Sequence, residues 1–314
     1  MKIISIGEFL WDVFGQDEYL GGAPFNFAAH ARRLGHDVVF VSAVGDDERG
    51  RAALLAMEQL RLRPRFVKIL KGQSTGLVSV QLDSAGQPCF LIHRPAAYDL
   101  VELSESDLAE ISAQQADWIY FGTLHQMSPK ARDLLTALIA TNPGARRFYD
   151  VNLRVNSYNA ALVEALLKRS SVVKLNDSEV NTIQTLLGGD TRSIEEFSRN
   201  GVRVYGWEAV CVTRGAEGCS VLVSGEYVDV DAYPVQVADT VGSGDAFAAA
   251  FLHGLNHGWP AAKIGDFANR VGALIASRRG AVPNWTVEEC RALARPTAGS
   301  LRQGKREAPS TGSA

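Results

Sequence analysis

The sequence lacks the cysteine spacings of metal or redox sites. Its four cysteines lie far apart and form no CxxC pair, a distribution typical of a reducing compartment, where buried thiols act as small apolar side chains. No apolar run of signal-peptide length stands near the start of the chain. The most apolar helical segment, 246–255, has about half the length of a membrane span. These absences predict a cytoplasmic protein that does not enter a membrane.

The chain also lacks a strong charge bias. Its 32 basic and 35 acidic residues give a net charge of −3. Nucleic acid and acidic lipid both require a strongly basic surface, so we expect neither as a partner. The 314 residues, 46% hydrophobic and 21% charged, are enough for one large α/β domain or two small ones.

Short β-rich segments alternate with helical segments along most of the chain. This order predicts an α/β protein with a mainly parallel sheet and helices on both faces. The predicted strands are Lys2–Ile6, Val38–Val44, Trp118–Phe121, Arg147–Val151, Val172–Leu175 and Ala209–Thr213. The clearest predicted helices are Ala131–Ala140, Ala160–Arg169 and Asp177–Leu187.

One segment, 74–93, interrupts this alternation. Two extended runs flank Asp83, Ser84, Ala85 and Gly86, which is the pattern of a β-hairpin. A hairpin inserted between βαβ units has to project from the parallel sheet. It is either a lid over an active site or an ordinary edge hairpin.

Polar residues follow four of the predicted strands. Ligands of parallel α/β sheets bind beyond the carboxyl ends of the strands, so these residues together predict a site at that edge. They are Asp12 after the first strand, Asn152 and Arg154 after the fourth, Asn176 and Glu179 after the fifth, and Thr213 and Gly215 after the sixth.

The strongest local signal is the segment 239–245, which precedes a run of small apolar residues. Gly242 and Gly244 allow a tight turn and a close approach to a ligand. The helix that follows offers unpaired N–H groups to an anion, and Asp245 in its first turn can accept a proton from a hydroxyl. This combination suits phosphoryl transfer to an alcohol. Alternatively, Asp245 only stabilises the helix dipole.

Two further motifs each have two interpretations. Gly21, Gly22 and Asn26 suit the binding of sugar hydroxyls, or they form a turn before a helix that starts at Pro24. Asn176 and Glu179 form a capping box, or Glu179 holds Mg²⁺ through water.

Taken together and in order, these segments resemble the ribokinase-like (PfkB-type) carbohydrate kinases. Residues 21–28, followed by Gly35 and Gly45, match the first family signature, and residues 239–245 match the second. The resemblance covers residues 1–290. Within the family it is nearest to bacterial fructokinases, on the segments 21–26, 97–99 and 150–154.

The resemblance implies a three-layer α/β/α fold with a mainly parallel central sheet and a small β lid. The kinase domain would span residues 1–294, with the lid formed by about 13–23 and 66–97. Residues 295–314, rich in Pro, Gly, Ser, Thr and charge, would form a disordered tail.

The resemblance also implies a role for each site residue. Asp245 is expected to be the catalytic base, with an anion hole formed by the backbone amides of Gly242, Ser243 and Gly244. The expected substrate-binding residues are Asp12, Gly21, Gly22, Asn26, Tyr98, Asn152 and Arg154. The expected nucleotide-side residues are Asn176, Glu179, Thr213, Gly215, Gly218 and Asn269. Glu179 would hold Mg²⁺ through water, and Asp239 is the residue that matches a K⁺ site.

The implied activity is ATP- and Mg²⁺-dependent phosphorylation of a sugar, with fructose expected first and K⁺ as an activator in parts of the family. An Arg at the position of Arg154 also occurs in kinases of 2-keto-3-deoxygluconate, so acidic sugars remain an alternative class of substrate. A nucleoside kinase and a sugar sensor without turnover are further alternatives. The resemblance also leads us to expect a homodimer.

Overall fold

The computed structural model describes residues 1–82 and 88–294. The strands are β1 (Lys2–Ile6), β2 (Leu10–Phe14), β3 (Asp17–Gly21), β4 (Asp37–Gly45), β5 (Val67–Leu70), β6 (Gly76–Leu82), β7 (Pro88–His93), β8 (Trp118–Gly122), β9 (Arg146–Asp150), β10 (Val172–Asn176), β11 (Ala209–Thr213), β12 (Cys219–Val223) and β13 (Glu226–Val230). The helices are α1 (Ala23–Arg33), α2 (Glu48–Gln59), α3 (Glu105–Ser112), α4 (Pro129–Thr141), α5 (Ala160–Arg169), α6 (Asp177–Leu187), α7 (Ile194–Tyr205), α8 (Ser243–Asn256), α9 (Ala261–Ala276) and α10 (Val287–Ala292). Short 3₁₀ helices occur at Pro64–Phe66, Ala97–Leu100, His125–Met127 and Gly215–Glu217.

A nine-stranded sheet has the strand order β13-β12-β11-β10-β9-β8-β1-β4-β5. From β11 to β5 all neighbouring strands are parallel, and β12 and β13 are antiparallel additions at one edge. The strands β1, β8, β9 and β10 lie inside the sheet, and their side chains are almost all buried because helices cover both faces.

Each face of this sheet has its own hydrophobic core. Under α1, α8 and α9 the core includes Phe27 stacked on Tyr120, with ring centroids 3.6 Å apart. On the opposite face α4, α5 and α6 pack on Phe121 and Tyr149. The two cores and the sheet between them form the predicted α/β/α layers, so the fold class is confirmed.

A second sheet of four strands has the order β3-β2-β6-β7. β6 and β7 pair antiparallel, which confirms the predicted hairpin, and β2 pairs parallel with β6. The predicted loop residues 83–86 and the predicted tail 295–314 lie outside the described residues. The ranges given for the lid remain a prediction, and β5, within the second range, pairs with β4 in the large sheet.

The predicted strands and helices of the large sheet are present, with ends shifted by at most a few residues. The patterns missed β2, β3, β5 and β13, which are partly exposed, and β12, which is buried. Among the helices of the described chain, none combines the length and the apolar character needed to cross a bilayer.

Candidate active site

The two glycine-rich motifs meet at the carboxyl ends of the parallel strands. Asn26 lies on α1 and Asp245 on the first turn of α8, and the Asn26 side-chain N–H (Nδ2) donates to Asp245 Oδ2 over 2.8 Å. Both side chains are buried, with 3% and 9% of their surface exposed. A hydrogen bond between residues so distant in sequence fixes both motifs around one point.

The N-terminus of α8 is built to face an anion. Gly242 precedes the helix with φ of 75°, and a β-carbon there would lie 2.3 Å from the carbonyl oxygen of Ala281. Only glycine is accommodated in that conformation and space. No side chain caps this helix end, so N–H groups of its first turn are available to a ligand. Ser243 Oγ donates to the carbonyl of Thr240 and tightens the turn before it.

The environment of Asp245 raises its pKa from 3.8 to about 6. Burial is the largest cause, and the charge of Asp150 acts in the same direction. Lys174, the hydrogen bond from Asn26 and the charge of Arg154 act in the opposite direction. A carboxyl with this pKa is ionised at neutral pH and can still accept a proton, which is the requirement for a general base.

A buried ion pair lies beneath this loop. Lys174 Nζ is 3.0 Å and 3.1 Å from the two carboxylate oxygens of Asp150, which also accepts a hydrogen bond from Tyr120 Oη over 2.9 Å. A β-carbon at Gly244 would lie 3.4 Å from Lys174 Nζ. Burial alone lowers the pKa of Lys174, but the charges of Asp150, Glu179 and Asp245 raise it overall. A fixed positive charge therefore lies next to the anion-facing loop.

Further polar side chains lie around the glycines that precede α1, where the small sheet meets that helix. Asp12 Oδ2 would be 2.8 Å from a β-carbon at Gly21, so the absence of a side chain there makes room for the carboxylate. Burial raises the pKa of Asp12 to about 6, against the charge of Arg154. Asp12 does not follow the first strand as predicted. It lies within β2, because the small sheet begins two residues earlier.

Three buried polar atoms of Glu8, Asn26 and Tyr98 have no hydrogen-bond partner: Glu8 Oε2, Asn26 Oδ1 and Tyr98 Oη. The residues Glu8, Asn26 and Tyr98 are 4%, 3% and 0% exposed. Buried polar atoms without partners are rare in folded proteins, and a bound polar ligand is one of the reasons for them. Asn152 follows β9 with φ of 39°, and the exposed side chain of Arg154 comes two residues later.

Asn176 and Glu179 form the capping box of α6. Asn176 Oδ1 accepts from the Glu179 N–H, and Glu179 Oε2 accepts from the Asn176 N–H, each over 2.8 Å. Glu179 Oε1 also accepts from the N–H of Leu153 over 2.7 Å. Glu179 is thus a cap and a link to the loop that carries Arg154. Its expected role toward Mg²⁺ remains a prediction.

The expected nucleotide-side residues line the edge of the sheet near β11 and β12. Thr213 ends β11, and Gly215 begins the 3₁₀ turn that follows. Gly218 has φ of 97°, and a β-carbon there would lie 2.0 Å from the carbonyl oxygen of Val230. Asn269 on α9 donates to the carbonyls of Val230 and Asp231. Gly218 and Asn269 therefore shape the same segment after β13.

Asp239 is engaged with backbone on both sides of the loop that leads to Gly242. Its Oδ1 accepts from the Val241 N–H over 3.0 Å, and its Oδ2 accepts from the Gly280 N–H over 3.1 Å. Within residues 1–82 and 88–294 there is no group of three or more His, Cys, Asp or Glu side chains arranged to hold a metal ion. The histidines at 253 and 257, which have the spacing of a metal pair, pack with His36 and Trp259.

The sequence patterns did not single out Glu8, Asp150 or Lys174 as site residues. Signals for them were present. Glu8 comes two residues after the end of the first strand, and Asp150 ends the strand before Asn152. Lys174 is the one charged residue within the apolar strand β10, a position that calls for a buried partner.

A family model described as pfkB family carbohydrate kinase matches residues 10–287. The chain belongs to the pfkB family of carbohydrate kinases. It is a sugar kinase, an enzyme that transfers a phosphoryl group to a carbohydrate. The resemblance found in the two signature segments is confirmed.

This pfkB kinase is similar to several named sugar kinases. It is 30% identical over 299 residues to a sugar kinase of Pyrococcus horikoshii, covering 89% of this chain and 91% of that protein. It is 30% identical over 300 residues to a fructokinase of Klebsiella pneumoniae, covering 90% and 95%. It is 28% identical over 284 residues to a 5-dehydro-2-deoxygluconokinase of Clostridium beijerinckii, covering 87% and 83%.

Solved structures share its fold. A fructokinase of Xylella fastidiosa with bound ATP has a TM-score of 0.81 at 24% identity, covering 93% of this chain and 97% of that one. A 2-dehydro-3-deoxygluconokinase of Thermotoga maritima has a TM-score of 0.80 at 20% identity, covering 93% and 99%. A ribokinase II of E. coli in complex with ATP and Mg²⁺ has a TM-score of 0.76 at 22% identity, covering 93% and 98%.

The buried ion pair generates a prediction about stability. Lys174→Met should lower the free energy of unfolding by about 3–5 kcal/mol, because Asp150 is left charged and buried without its cation. Adding Asp150→Asn should recover most of that loss, since the amide oxygen can still accept from Tyr120. Urea denaturation measures both changes. The control is Lys168→Met, which removes an exposed lysine paired with Glu164 and should leave the midpoint unchanged. A double variant as unstable as Lys174→Met would contradict this account.

Proposed function

We propose that this pfkB kinase transfers the γ-phosphoryl group of ATP to a hydroxyl of fructose, with Asp245 as the general base. The observation that carries the proposal is the hydrogen bond from Asn26 to Asp245 at the uncapped N-terminus of α8. It brings a proton acceptor, a polar side chain suited to sugar hydroxyls and an anion-facing helix end to one place, which are parts that phosphoryl transfer to an alcohol requires.

In the proposed reaction, Asp245 removes the proton from the attacking sugar hydroxyl. The sugar oxygen forms a bond to the γ-phosphorus while the bond from that phosphorus to the β,γ-bridging oxygen breaks, and ADP leaves with the electron pair. N–H groups of the first turn of α8 stabilise the negative charge of the transferred group, and the Lys174 ammonium beneath Gly244 adds to the positive potential there.

The donor set fits a magnesium ion that is held mainly by nucleotide and water. Mg²⁺ in kinases usually has one or two carboxylates, several waters and substrate phosphates as ligands, which agrees with the lack of a ligand cluster in the described chain. Glu179 is the carboxylate that would reach it, through water. When bound, the ion neutralises charge on the phosphates.

The charges around the sugar pocket favour a neutral sugar. The Arg154 guanidinium lowers the pKa of Glu8, Asp12 and Asp245, so a single cation already faces three carboxyls. A carboxylate on the substrate would add a fourth negative group facing this one cation, which disfavours an acidic sugar. The fructokinase of Klebsiella pneumoniae supports fructose. The Clostridium beijerinckii relative supports a ketosugar derivative as the second candidate, since Arg154 is exposed and free to turn toward a substrate.

The test is ADP release with ATP and Mg²⁺ across fructose, ribose, tagatose, adenosine, 2-keto-3-deoxygluconate and 5-dehydro-2-deoxygluconate. We expect the highest kcat/KM with fructose. Turnover of another sugar in preference to fructose would contradict fructose as the substrate, but it would leave the assignment of Asp245 as the base unaffected. If none of these substrates is turned over although ATP binds, the proposal as a whole is contradicted.

Each reaction is repeated with Na⁺ in place of K⁺, because the loop fixed by Asp239 is the proposed K⁺ site. Equal rates with the two ions would contradict that site.

Asp245→Asn should lower kcat by about 10²–10⁴-fold, because the amide cannot accept the proton. The substitution keeps the size of the side chain, so KM for the sugar should change little. Steady-state kinetics with the preferred sugar measures both constants. The matched control is Asp190→Asn, a change at an exposed aspartate between α6 and α7, which should leave kcat as it is. Near-normal turnover by Asp245→Asn would exclude this residue as the base.

Asn26→Ala should move the acid limb of the kcat profile to higher pH. The hydrogen bond from Asn26 stabilises the ionised carboxylate and lowers the pKa of Asp245; without it, that pKa rises above its value of about 6. Activity requires the ionised base, so a higher pH is needed for the same rate. The profile is measured at saturating sugar, where kcat reports groups of the bound complex. An acid limb that stays in place would contradict the assignment of Asp245.

A further inference from the structure

A segment without regular secondary structure lies directly against the turn that begins α8. Residues 277–285, between α9 and the N-cap of α10, form neither helix nor strand. A β-carbon at Gly242 would lie 2.3 Å from the carbonyl oxygen of Ala281 and 2.6 Å from its Cα. The backbone of Ala281 is therefore the wall of the anion-facing turn. Because the segment has no helix or strand of its own, side chains from elsewhere have to fix that wall.

His30, on α1, contacts this segment at two points. Its Nε2 is 3.0 Å from the carbonyl oxygen of Ala281, and its Nδ1 is 3.0 Å from the indole nitrogen of Trp285. His30 has 0% of its surface exposed and Trp285 has 4%, so bulk water does not compete for either hydrogen bond. Both ring nitrogens of a buried histidine are thus engaged by the same segment.

The two partners of His30 allow only one protonation state of its ring. The indole N–H of Trp285 can only donate, so the Nδ1 that faces it has to be unprotonated. The carbonyl of Ala281 can only accept, so the Nε2 that faces it has to carry the proton. The ring is therefore the neutral Nε2–H tautomer. Burial lowers the pKa of His30 to about 4, which agrees with a neutral ring at physiological pH.

Helix α1 carries both His30 and the partner of the proposed base. Asn26 donates to Asp245, and His30 follows four residues later, on the same side of the helix. One turn further along, Arg33 donates to two carbonyl oxygens of the 277–285 segment, over 3.0 Å and 3.2 Å. One helix therefore contacts the proposed base and, separately, the wall of the anion-facing turn.

We propose that His30 is a positioning residue for the anion-facing turn: as the Nε2–H tautomer selected by Trp285, it holds the Ala281 carbonyl against Gly242. A shift of Ala281 changes the space left for Gly242, and with it the direction of the first N–H groups of α8. Those N–H groups stabilise charge that is greatest in the transition state, so loss of His30 should lower kcat. This inference rests on the proposed phosphoryl transfer.

The first test is a double-mutant cycle between His30 and Trp285, measured as kcat and KM with the preferred sugar. His30→Leu should lower kcat by about 10-fold, within the range of coupling in one hydrogen-bond network, and leave KM for the sugar within about 2-fold. Trp285→Phe removes the indole N–H and should lower kcat by about 3-fold alone, but by less than about 2-fold in the His30→Leu background. His30→Gln should recover most of kcat, since its side-chain N–H can donate to Ala281.

The matched control is Trp207→Phe, the same change at a second buried indole. Trp207 donates through Nε1 to the carbonyl of Leu167 over 3.0 Å, on the opposite face of the sheet. This variant should lower the melting temperature about as much as Trp285→Phe and leave kcat as it is. If His30→Leu does not fold, Trp285→Phe, His30→Gln and the spectroscopic measurement decide the proposal.

The second test observes the tautomer without any substrate. Nitrogen-15 labelling of histidine and long-range proton–nitrogen correlation spectra distinguish the Nε2–H tautomer, the Nδ1–H tautomer and the charged ring. The His30 signal is the one that is absent from the spectrum of His30→Gln. In the wild type it should be the Nε2–H tautomer from pH 6 to 8, and in Trp285→Phe the Nδ1–H form should become populated, because nothing then donates to Nδ1.

Several outcomes would overturn the proposal. An Nδ1–H tautomer or a charged ring in the wild type would exclude the hydrogen bond to Ala281. Fully additive losses in the cycle would show that Trp285 does not act through His30. Normal kcat in His30→Leu, or a raised KM for the sugar with unchanged kcat, would exclude a role at the anion-facing turn. A wild type without kinase activity on any sugar would contradict the proposed function, whereas the spectra would still decide whether His30 holds Ala281.

Discussion

The contact between α1 and α8 is the constraint on which the rest of the site depends. The Asn26–Asp245 hydrogen bond is possible because the two helices pack side by side on one face of the sheet. The turns that follow each residue consist largely of buried alanines: Ala28, Ala29, Ala248, Ala249 and Ala250. Small side chains allow two helix backbones to approach closely. The small apolar run after Asp245 is therefore part of the site, since it sets the distance between the two motifs.

Burial of charge is the second constraint. Each carboxyl in the site costs free energy to desolvate, and the cost appears in the raised pKa of Glu8 and Asp245. Lys174 limits that cost, because it is itself buried and is held by Asp150. Lys174 and Asp150 are register partners on the neighbouring parallel strands β10 and β9, so the backbone places the two side chains next to each other. The result is an environment in which a carboxylate is ionised near neutral pH and remains basic.

Much of this arrangement was predictable from sequence. The strands of the central sheet are short apolar runs, and their carboxyl ends carry the polar residues that meet in the site, because parallel strands bring those ends to one edge. The two signatures predicted a helix starting at Pro24 and a helix with Asp245 in its first turn, and the observed helices start at Ala23 and Ser243. The edge strand β13 and the strand β2 were missed because most of their residues are only partly buried or exposed, which weakens the apolar pattern. β12 was missed although it is buried.

The remaining features depend on tertiary contacts that no local pattern contains. The burial of Glu8 against Gly22 brings together residues that are separated in sequence by β2 and β3, so no local pattern predicts it. The unpaired Tyr98 hydroxyl is likewise visible only after the fold has buried it. By contrast, Asn176 and Glu179 were recognisable as a capping box, and the structure has that box.

Glu179 shows why a single role per residue is too simple for this site. One carboxylate oxygen holds the Asn176 N–H and the other holds the Leu153 N–H, so the side chain joins the start of α6 to the loop between Asn152 and Arg154. A residue expected to act toward the metal thus also fixes the loop on the sugar side. Loss of Glu179 would disturb both ends of the reaction at once. Its effect on magnesium dependence therefore has to be separated from its effect on sugar affinity before either role is assigned.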